Sequence, residues 1–189
     1  HEVNLLFQLP FEILIILIPS LLLSLCVHEF SHAIVAYYYG DKTAYHQGRI
    51  TLNPLKHLHP IGTLMLLFAG FGFAKPVPVE PQNLRNPRTD MIKVAAAGPI
   101  SNFILASIGC FLINITQTIM SRELYFFLFY FFQINVVLGV FNLLPIFPLD
   151  GGQIFNNLMS KRYPEIVNYL HTNGLYILFG IINRLLFLI

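Results

Sequence analysis

Residues 21–40 read LLLSLCVHEFSHAIVAYYYG, an apolar run long enough to cross a membrane as one helix. The pattern HExxH interrupts it at residues 28–32. On a helix, residues four apart share a face, so the imidazoles of His28 and His32 can hold one zinc ion. Glu29 lies beside that metal and can take a proton from an attacking water. The stretch therefore predicts zinc-dependent hydrolysis carried out at membrane depth.

The composition is that of an integral membrane protein. Of 189 residues, 56% are hydrophobic and 11% charged, whereas soluble proteins average about 25% charged. We expect one all-α polytopic intramembrane domain over residues 1–189, with residues 1–8 set aside as a remnant of truncation or cloning. A net charge of +2 gives no reason to expect a nucleic-acid partner. Cys26 and Cys110 lie in apolar runs, where we expect no disulfide.

Hydropathy divides the chain into about four transmembrane helices. The connection at residues 41–60 alternates like a small β-hairpin at the membrane surface. Residues 61–73 are apolar but too short for a span, which favours a re-entrant segment. The four predicted spans are residues 9–39, 91–120, 124–144 and 169–189, with a polar helix at 153–161 before the last.

A proline-rich stretch follows the predicted re-entrant segment. Proline at every second or third position forbids a helix and forces an extended backbone at a sheet edge. Such an edge can accept an extended peptide by strand addition. The predicted substrate-binding residues are Lys75, Pro76, Val77, Pro78 and Val79.

A second break in the apolar pattern supplies the third metal ligand. Residues 142–152 read NLLPIFPLDGG, and irregular backbone at membrane depth is tolerated where it lines a wet cavity. Asp150 lies in this break, and Zn²⁺ with two ionised acids, Asp150 and Glu29, sums to zero charge. We therefore prefer Asp150, although a helix N-cap role would also suit this residue. The other candidate ligands are Asp41, His46, His57, His59, Glu80, Asp90 and His171.

These motifs together resemble the site-2 proteases, a family of intramembrane zinc metalloproteases. The resemblance rests on four stretches in the family's order: HEFSH at 28–32, GFGFAKPVPV at 70–79, AAGP at 96–99 followed by Asn102, and NLLPIFPLDGG at 142–152. One departure is His59, where the family often has Asp. We expect a minimal form without PDZ or CBS domains.

The resemblance implies one Zn²⁺ per chain, held by His28, His32 and Asp150, with Glu29 activating water. It also implies that Asn142 contacts the substrate or the reaction intermediate, with hydrogen bonding to backbone freed by Pro145 as the simpler reading. The implied partner is a membrane protein with a transmembrane helix, reached through the lipid bilayer. The alternative is an inactive zinc-binding membrane protein that captures transmembrane segments.

The distribution of basic residues predicts the orientation of the chain. Seven Lys and Arg residues lie between Lys42 and Lys93, and Lys161 and Arg162 add two more. Only Arg122 lies in a loop on the opposite side. By the positive-inside rule, the site opens toward the cytoplasm, and we expect a prokaryotic cell membrane.

Overall fold

The computed structural model of the chain describes residues 11–59, 62, 75–116 and 119–186. These residues are mostly helical, as the sequence predicts, and contain no sheet. A one-turn 3₁₀ helix spans Pro81–Asn83. The α-helices are α1 Phe11–Tyr38, α2 Thr43–His46, α3 Pro54–His57, α4 Pro87–Thr116, α5 Arg122–Asn142, α6 Asp150–Met159 and α7 Pro164–Leu186.

Three of these helices are long and apolar enough to cross a membrane. They cover Ile13–Tyr38, Pro87–Thr116 and Arg122–Asn142, with mean hydropathies of 2.2, 1.8 and 2.0. The predicted fourth span falls within α7, which has 23 residues but does not meet the same hydropathy criterion over its described residues. Three of the four predicted spans are therefore supported.

The connection after α1 differs from the predicted hairpin. Within residues 41–59 the structure has two one-turn helices, α2 and α3, in place of paired strands. Asn53 explains the second, because its side chain accepts a hydrogen bond from Leu55 N–H and Pro54 occupies the first helical turn. Capping chemistry thus overrides the short β-type alternation. The predicted re-entrant segment at 61–73 lies outside the described residues, except for Gly62.

Glycine ends α1 and turns the chain toward the rest of the site. Gly40 has φ +112°, a conformation that residues with a Cβ rarely adopt. A Cβ there would also lie 3.1 Å from the Asn83 carbonyl oxygen. This close approach is fixed by Arg85 N–H, which donates to the Tyr39 carbonyl at 3.0 Å. The end of α1 is thereby held against the 3₁₀ helix and the bend between it and α4.

Helix α4 is the centre of the bundle, because it packs against α1, α5 and α6. Small buried residues, Ala95 and Ala97, lie on it, which allows the close approach that the sequence predicts. Gly139 of α5 packs on the ring of Phe103, where a Cβ would come within 2.9 Å of the ring. The packing leaves α1 and α6 on neighbouring sides of α4, and this places their polar side chains close together.

Candidate metal centre

His28 and His32 face the same side of α1, as their spacing predicts. Both are buried, and their Nε2 atoms are 3.0 Å apart. The rings meet edge to face with centroids 4.6 Å apart. The two imidazoles therefore present their Nε2 atoms to one common point.

Asp150 reaches the same point from the first residue of α6. Its Oδ2 lies 3.2 Å from His28 Nε2, and its Oδ1 lies 3.4 Å from His32 Nε2. The three ligand atoms lie within 4.8 Å of one another. The N-cap of α6 is Leu149, so Asp150 does not serve as the cap. The structure thus brings together the three residues that the sequence predicts as zinc ligands.

Two glycines explain how α6 delivers this carboxylate. A Cβ on Gly151 would lie 2.2 Å from the Leu143 carbonyl oxygen, and one on Gly152 would lie 2.8 Å from the Ile146 carbonyl oxygen. The start of α6 therefore packs directly on the backbone of the break after α5. At the far end of α6, the guanidinium of Arg88 donates to the carbonyls of residues 157 and 158. Both ends of the short helix are fixed.

Gly98 of α4 lies against the Nε2 side of the two histidine rings. A Cβ at this position would lie 2.4 Å from His32 Nε2 and 2.6 Å from His28 Nε2. Any side chain would push the imidazoles away from Asp150. This contact gives a physical reason for the glycine in the AAGP stretch.

The outer nitrogens of both imidazoles are hydrogen-bonded. His32 Nδ1 donates to the Val94 carbonyl at 2.7 Å, and His28 Nδ1 lies 2.6 Å from Asn102 Oδ1. A carbonyl oxygen only accepts, so Nδ1 carries the hydrogen and Nε2 keeps its lone pair. Two lone pairs and a carboxylate then face one another.

Such an arrangement fits a cation. Asp150 Oδ2 is buried and makes no hydrogen bond, although it is close to an imidazole. Tetrahedral zinc with bonds of about 2.0–2.2 Å separates its ligand atoms by about 3.3–3.6 Å, close to the spacing seen here. Two histidines and one carboxylate are also a known donor set of catalytic zinc. The residues present therefore suit Zn²⁺ with a position left open.

Glu29 and Asn142 line a cavity of about 280 Å³, which His28, His32 and Asp150 also line. Glu29 Oε2 accepts a hydrogen bond from Val77 N–H at 2.9 Å. Asn142 Nδ2 donates to the Leu138 carbonyl at 3.0 Å. Asn142 therefore bonds to its own helix at a carbonyl four residues earlier, and within the described residues its second amide hydrogen has no acceptor. Pro145 deprives the carbonyl of residue 141 of its usual partner, so the bond seen here is not the one that the simpler reading requires.

Residues 75–80, called the extended segment below, form another wall of the cavity. Each of Lys75, Val77 and Glu80 precedes a proline, which favours extended backbone, and Glu80 has φ −104° and ψ 103°. Val77, Pro78 and Val79 are half-buried, whereas Lys75 and Pro76 are exposed.

Four hydrogen bonds hold the extended segment against neighbouring elements, and a fifth, longer one of 3.4 Å joins Arg49 Nη2 to the Pro76 carbonyl. Lys75 N–H donates to the His57 carbonyl, and Arg49 Nη2 donates to the Lys75 carbonyl, both at 2.7 Å. The third is the contact of Val77 with Glu29, and in the fourth Glu80 N–H donates to a carboxylate oxygen of Asp41 at 2.7 Å.

Sequence comparison identifies the family. The family model for peptidase family M50 matches residues 16–122 and 109–181. The chain belongs to peptidase family M50. It is 45% identical over 157 residues to "Putative zinc metalloprotease YwhC" of Bacillus subtilis (strain 168), covering 79% of this chain and 72% of the relative.

Two further relatives of the M50 chain carry similar names. "Putative zinc metalloprotease Rip2" of Mycolicibacterium smegmatis is 33% identical over 74% of this chain and 55% of its own length. "Zinc metalloprotease MJ0392" of Methanocaldococcus jannaschii is 30% identical over 78% of this chain and 35% of its own length. No solved structure matches the chain. The resemblance to site-2 proteases is confirmed, and the M50 chain is a zinc metalloprotease with Zn²⁺ as its cofactor.

The other candidate ligands of the M50 chain have other surroundings. Asp41 is fully buried. Burial raises the pKa of its carboxyl group, but the hydrogen bonds from Thr43, Glu80 and Asn83 together have the larger effect and hold the pKa below its ordinary value. His57 Nε2 donates to a backbone carbonyl. Within the described residues, the group of three formed by the two HExxH histidines and Asp150 is the only one of its kind. The predicted alternatives His46, His59, Glu80, Asp90 and His171 do not join it.

Sequence reasoning did not single out Asn135, a fully buried residue of α5. It donates from Nδ2 to Ser24 Oγ at 2.8 Å and accepts from Asn102 Nδ2 at 2.8 Å. One signal was available, because Asn135 is a strongly polar side chain in an otherwise apolar span, and such residues are rare without a partner.

Proposed function

We propose that the chain is an intramembrane metalloprotease that hydrolyses peptide bonds in or near transmembrane segments of other membrane proteins. The observation that carries this proposal is the convergence of two imidazole lone pairs and one carboxylate on helices of a membrane bundle, beside a second carboxylate that is not a ligand. A carboxylate at membrane depth is costly, which favours a catalytic use for it.

His28, His32 and Asp150 would hold the zinc. Bound zinc supplies positive charge that polarises a carbonyl oxygen and makes water acidic near neutral pH. The buried surroundings strengthen this effect, because charges interact more strongly where water is excluded. The three side chains also keep one side of the site open toward the cavity.

Glu29 would move the proton. It accepts a proton from the attacking water, whose oxygen bonds to the scissile carbonyl carbon. It then returns that proton to the leaving amine nitrogen as the peptide bond breaks. In this structure Val77 N–H orients one oxygen of Glu29, so the general base is aimed by the same segment that borders the cavity.

Asn142 would stabilise the negative charge that develops on the carbonyl oxygen. One of its amide hydrogens is used by Leu138, and the other is available at the cavity. Removal of a single donor of this kind typically costs about 100-fold or more in rate.

The extended segment would hold the substrate as an added strand at Lys75, Pro76, Val77, Pro78 and Val79. A helix in a bilayer satisfies its own amides, so it must open before it is cut. Pro76 and Pro78 have no N–H, and Val77 N–H is donated to Glu29, so pairing through an N–H falls to Val79. Val79 N–H makes no hydrogen bond within the described part of the chain, so it is available to donate to a carbonyl oxygen of an incoming peptide.

The same arrangement of helices supports a location in a membrane. The partner would be a membrane protein with a transmembrane helix, which enters from the lipid bilayer. The excess of Lys and Arg in the connections at 40–92 and 148–168 supports a site that opens to the cytoplasmic side of a prokaryotic cell membrane.

The test is Glu29→Gln in purified protein reconstituted into lipid vesicles with a reporter that has one transmembrane helix. The variant should retain one zinc per chain, measured by elemental analysis, while cleavage of the reporter is lost. Asn114→Ala, on the exposed face of α4, is the matched control and should cleave normally. Continued cleavage by Glu29→Gln would refute the role of Glu29. Retention of the reporter without cleavage by the unaltered chain would instead support segment capture.

A further inference from the structure

Three fully buried polar side chains connect α1, α4 and α5 behind the metal centre. Asn102 Nδ2 donates to Asn135 Oδ1, and Asn135 Nδ2 donates to Ser24 Oγ, each at 2.8 Å. The near end of this chain is His28, whose Nδ1 lies 2.6 Å from Asn102 Oδ1. We call Asn102, Asn135 and Ser24 the asparagine relay. Buried amides cost free energy unless hydrogen-bonded, and each amide of the relay is paired.

Backbone carbonyls fix the direction of every hydrogen bond in the relay. Asn135 Nδ2 also donates to the Phe131 carbonyl at 2.8 Å, and a carbonyl oxygen cannot donate in return. Ser24 uses its own hydrogen on a backbone carbonyl of α1, so it accepts from Asn135. Asn135 must therefore turn its oxygen toward Asn102. Asn102 must in turn present its oxygen to His28.

We propose that the asparagine relay positions His28 for zinc by fixing which ring nitrogen carries the hydrogen. An oxygen at Nδ1 requires hydrogen there, which leaves the lone pair on Nε2, the atom that faces His32 and Asp150. The other histidine needs no such device, because His32 Nδ1 donates to the Val94 backbone carbonyl, whose identity no substitution changes. The inference rests on the zinc ligands proposed above, and it adds three positioning residues to them.

A purely structural role for the relay makes a different prediction. Side chains that only join helices would destabilise the bundle when removed, and the zinc affinity of the folded variant would stay the same. A relay that orients a ligand changes zinc affinity itself, typically by about 10–100-fold for a group that holds a metal-binding histidine. Its members also act in series, so their effects on affinity should not add.

The experiment measures zinc affinity by competition with a chelator of known affinity, using folded, detergent-purified protein. Asn102→Leu should weaken zinc binding by about 10–100-fold. Asn135→Leu should weaken it by no more than that, and the double variant should match Asn102→Leu alone. Ser101→Ala removes a neighbouring buried hydroxyl that bonds only to its own helix, and it should bind zinc like the unaltered chain.

The proposal is overturned if Asn102→Leu binds zinc within about threefold of Ser101→Ala, or if the two single losses multiply in the double variant. If Asn102→Leu does not fold, Asn102→Ser replaces it, because a serine hydroxyl on α4 can donate to its own helix, as Ser107 does. His28→Ala separates the two hypotheses: unchanged zinc affinity there would refute the ligand assignment itself, whereas a loss there without a loss in Asn102→Leu would refute only the relay.

Discussion

Asp41 and Asp150 are two acids withdrawn from water, and their surroundings are opposite. Asp41 is fully buried and receives hydrogen bonds from Thr43, Glu80 and Asn83. Asp150 faces two imidazole nitrogens, and its buried Oδ2 receives none. A carboxylate surrounded by donors is already compensated, whereas one surrounded by lone pairs requires a cation. Burial of an acid alone therefore does not identify a metal ligand. What identifies it is whether the neighbouring atoms are hydrogen-bond donors or lone pairs.

The largest effect is expected from Asp150→Asn, which removes the charge and keeps the shape. Zinc affinity should fall by more than the roughly 100-fold upper range for residues that only support a ligand. Proteolysis should fall to background with it. Elemental analysis after dialysis against a weak chelator measures the first, and a variant that keeps one zinc per chain would contradict the assignment.

Gly98→Ala should come next, because the new methyl group would occupy the space of both histidine Nε2 atoms. We expect most of the zinc to be lost, and a cost of about 1–3 kcal/mol in unfolding free energy from overpacking. Gly180→Ala is the matched control, since a Cβ there has nothing within 4 Å. It should be neutral or stabilise α7 by up to about 1 kcal/mol. Equal zinc contents in the two variants would show that Gly98 does not shape the site.

Asp41→Asn sharpens the contrast between the two acids. It leaves the three proposed zinc ligands untouched, so zinc content should remain at one per chain. Loss of charge-assisted hydrogen bonds to Glu80 N–H and Thr43 should loosen the extended segment and cost about 1–3 kcal/mol in stability. Cleavage should fall only severalfold, measured with the membrane reporter. A loss of zinc as large as that in Asp150→Asn would contradict the claim that Asp41 is not a zinc ligand.

The smallest effect is the pH dependence that Asp41 contributes. Its pKa in the folded protein is lowered from 3.8, because the hydrogen bonds to its carboxylate outweigh the effect of burial. Its stabilisation is therefore complete above pH 3.8 and is lost as pH falls through the lowered pKa. The difference in melting temperature between the unaltered chain and Asp41→Asn should shrink between pH 6 and pH 3, each measured free of zinc. A constant difference would contradict this assignment.

The residues of the proposed metal centre could largely be predicted from the sequence. Their pattern either lies within one helix or places a charged side chain where burial costs free energy. The four-residue spacing of His28 and His32 follows from helix geometry, and Asp150 stands out as an acid in an apolar stretch with Pro and Gly around it. The predicted ligands therefore meet in the structure. The three apolar spans follow in the same way from residue-by-residue hydropathy.

Other features depend on contacts between distant parts of the chain, which a single sequence does not reveal. Residue type alone makes Asp41 a candidate ligand, because its hydrogen bond from Glu80 N–H joins residues 39 positions apart and is visible only in the folded structure. Asn135 was passed over for the same reason, since its partners lie on two other helices. The hairpin at 41–60 was wrong over its described part because a cap at Asn53 and Pro54 outweighs weak alternation.

The most direct test of the central claim is the X-ray absorption spectrum of zinc in the purified protein. Ligation by His28, His32 and Asp150 predicts two imidazole nitrogens and a carboxylate oxygen at about 2.0–2.2 Å, with only light-atom scatterers bound to the zinc. In Asp150→Asn any residual zinc should lose this signature. A sulfur scatterer at about 2.3 Å, from Cys26 or Cys110, or a shell with one imidazole or none, would contradict the account.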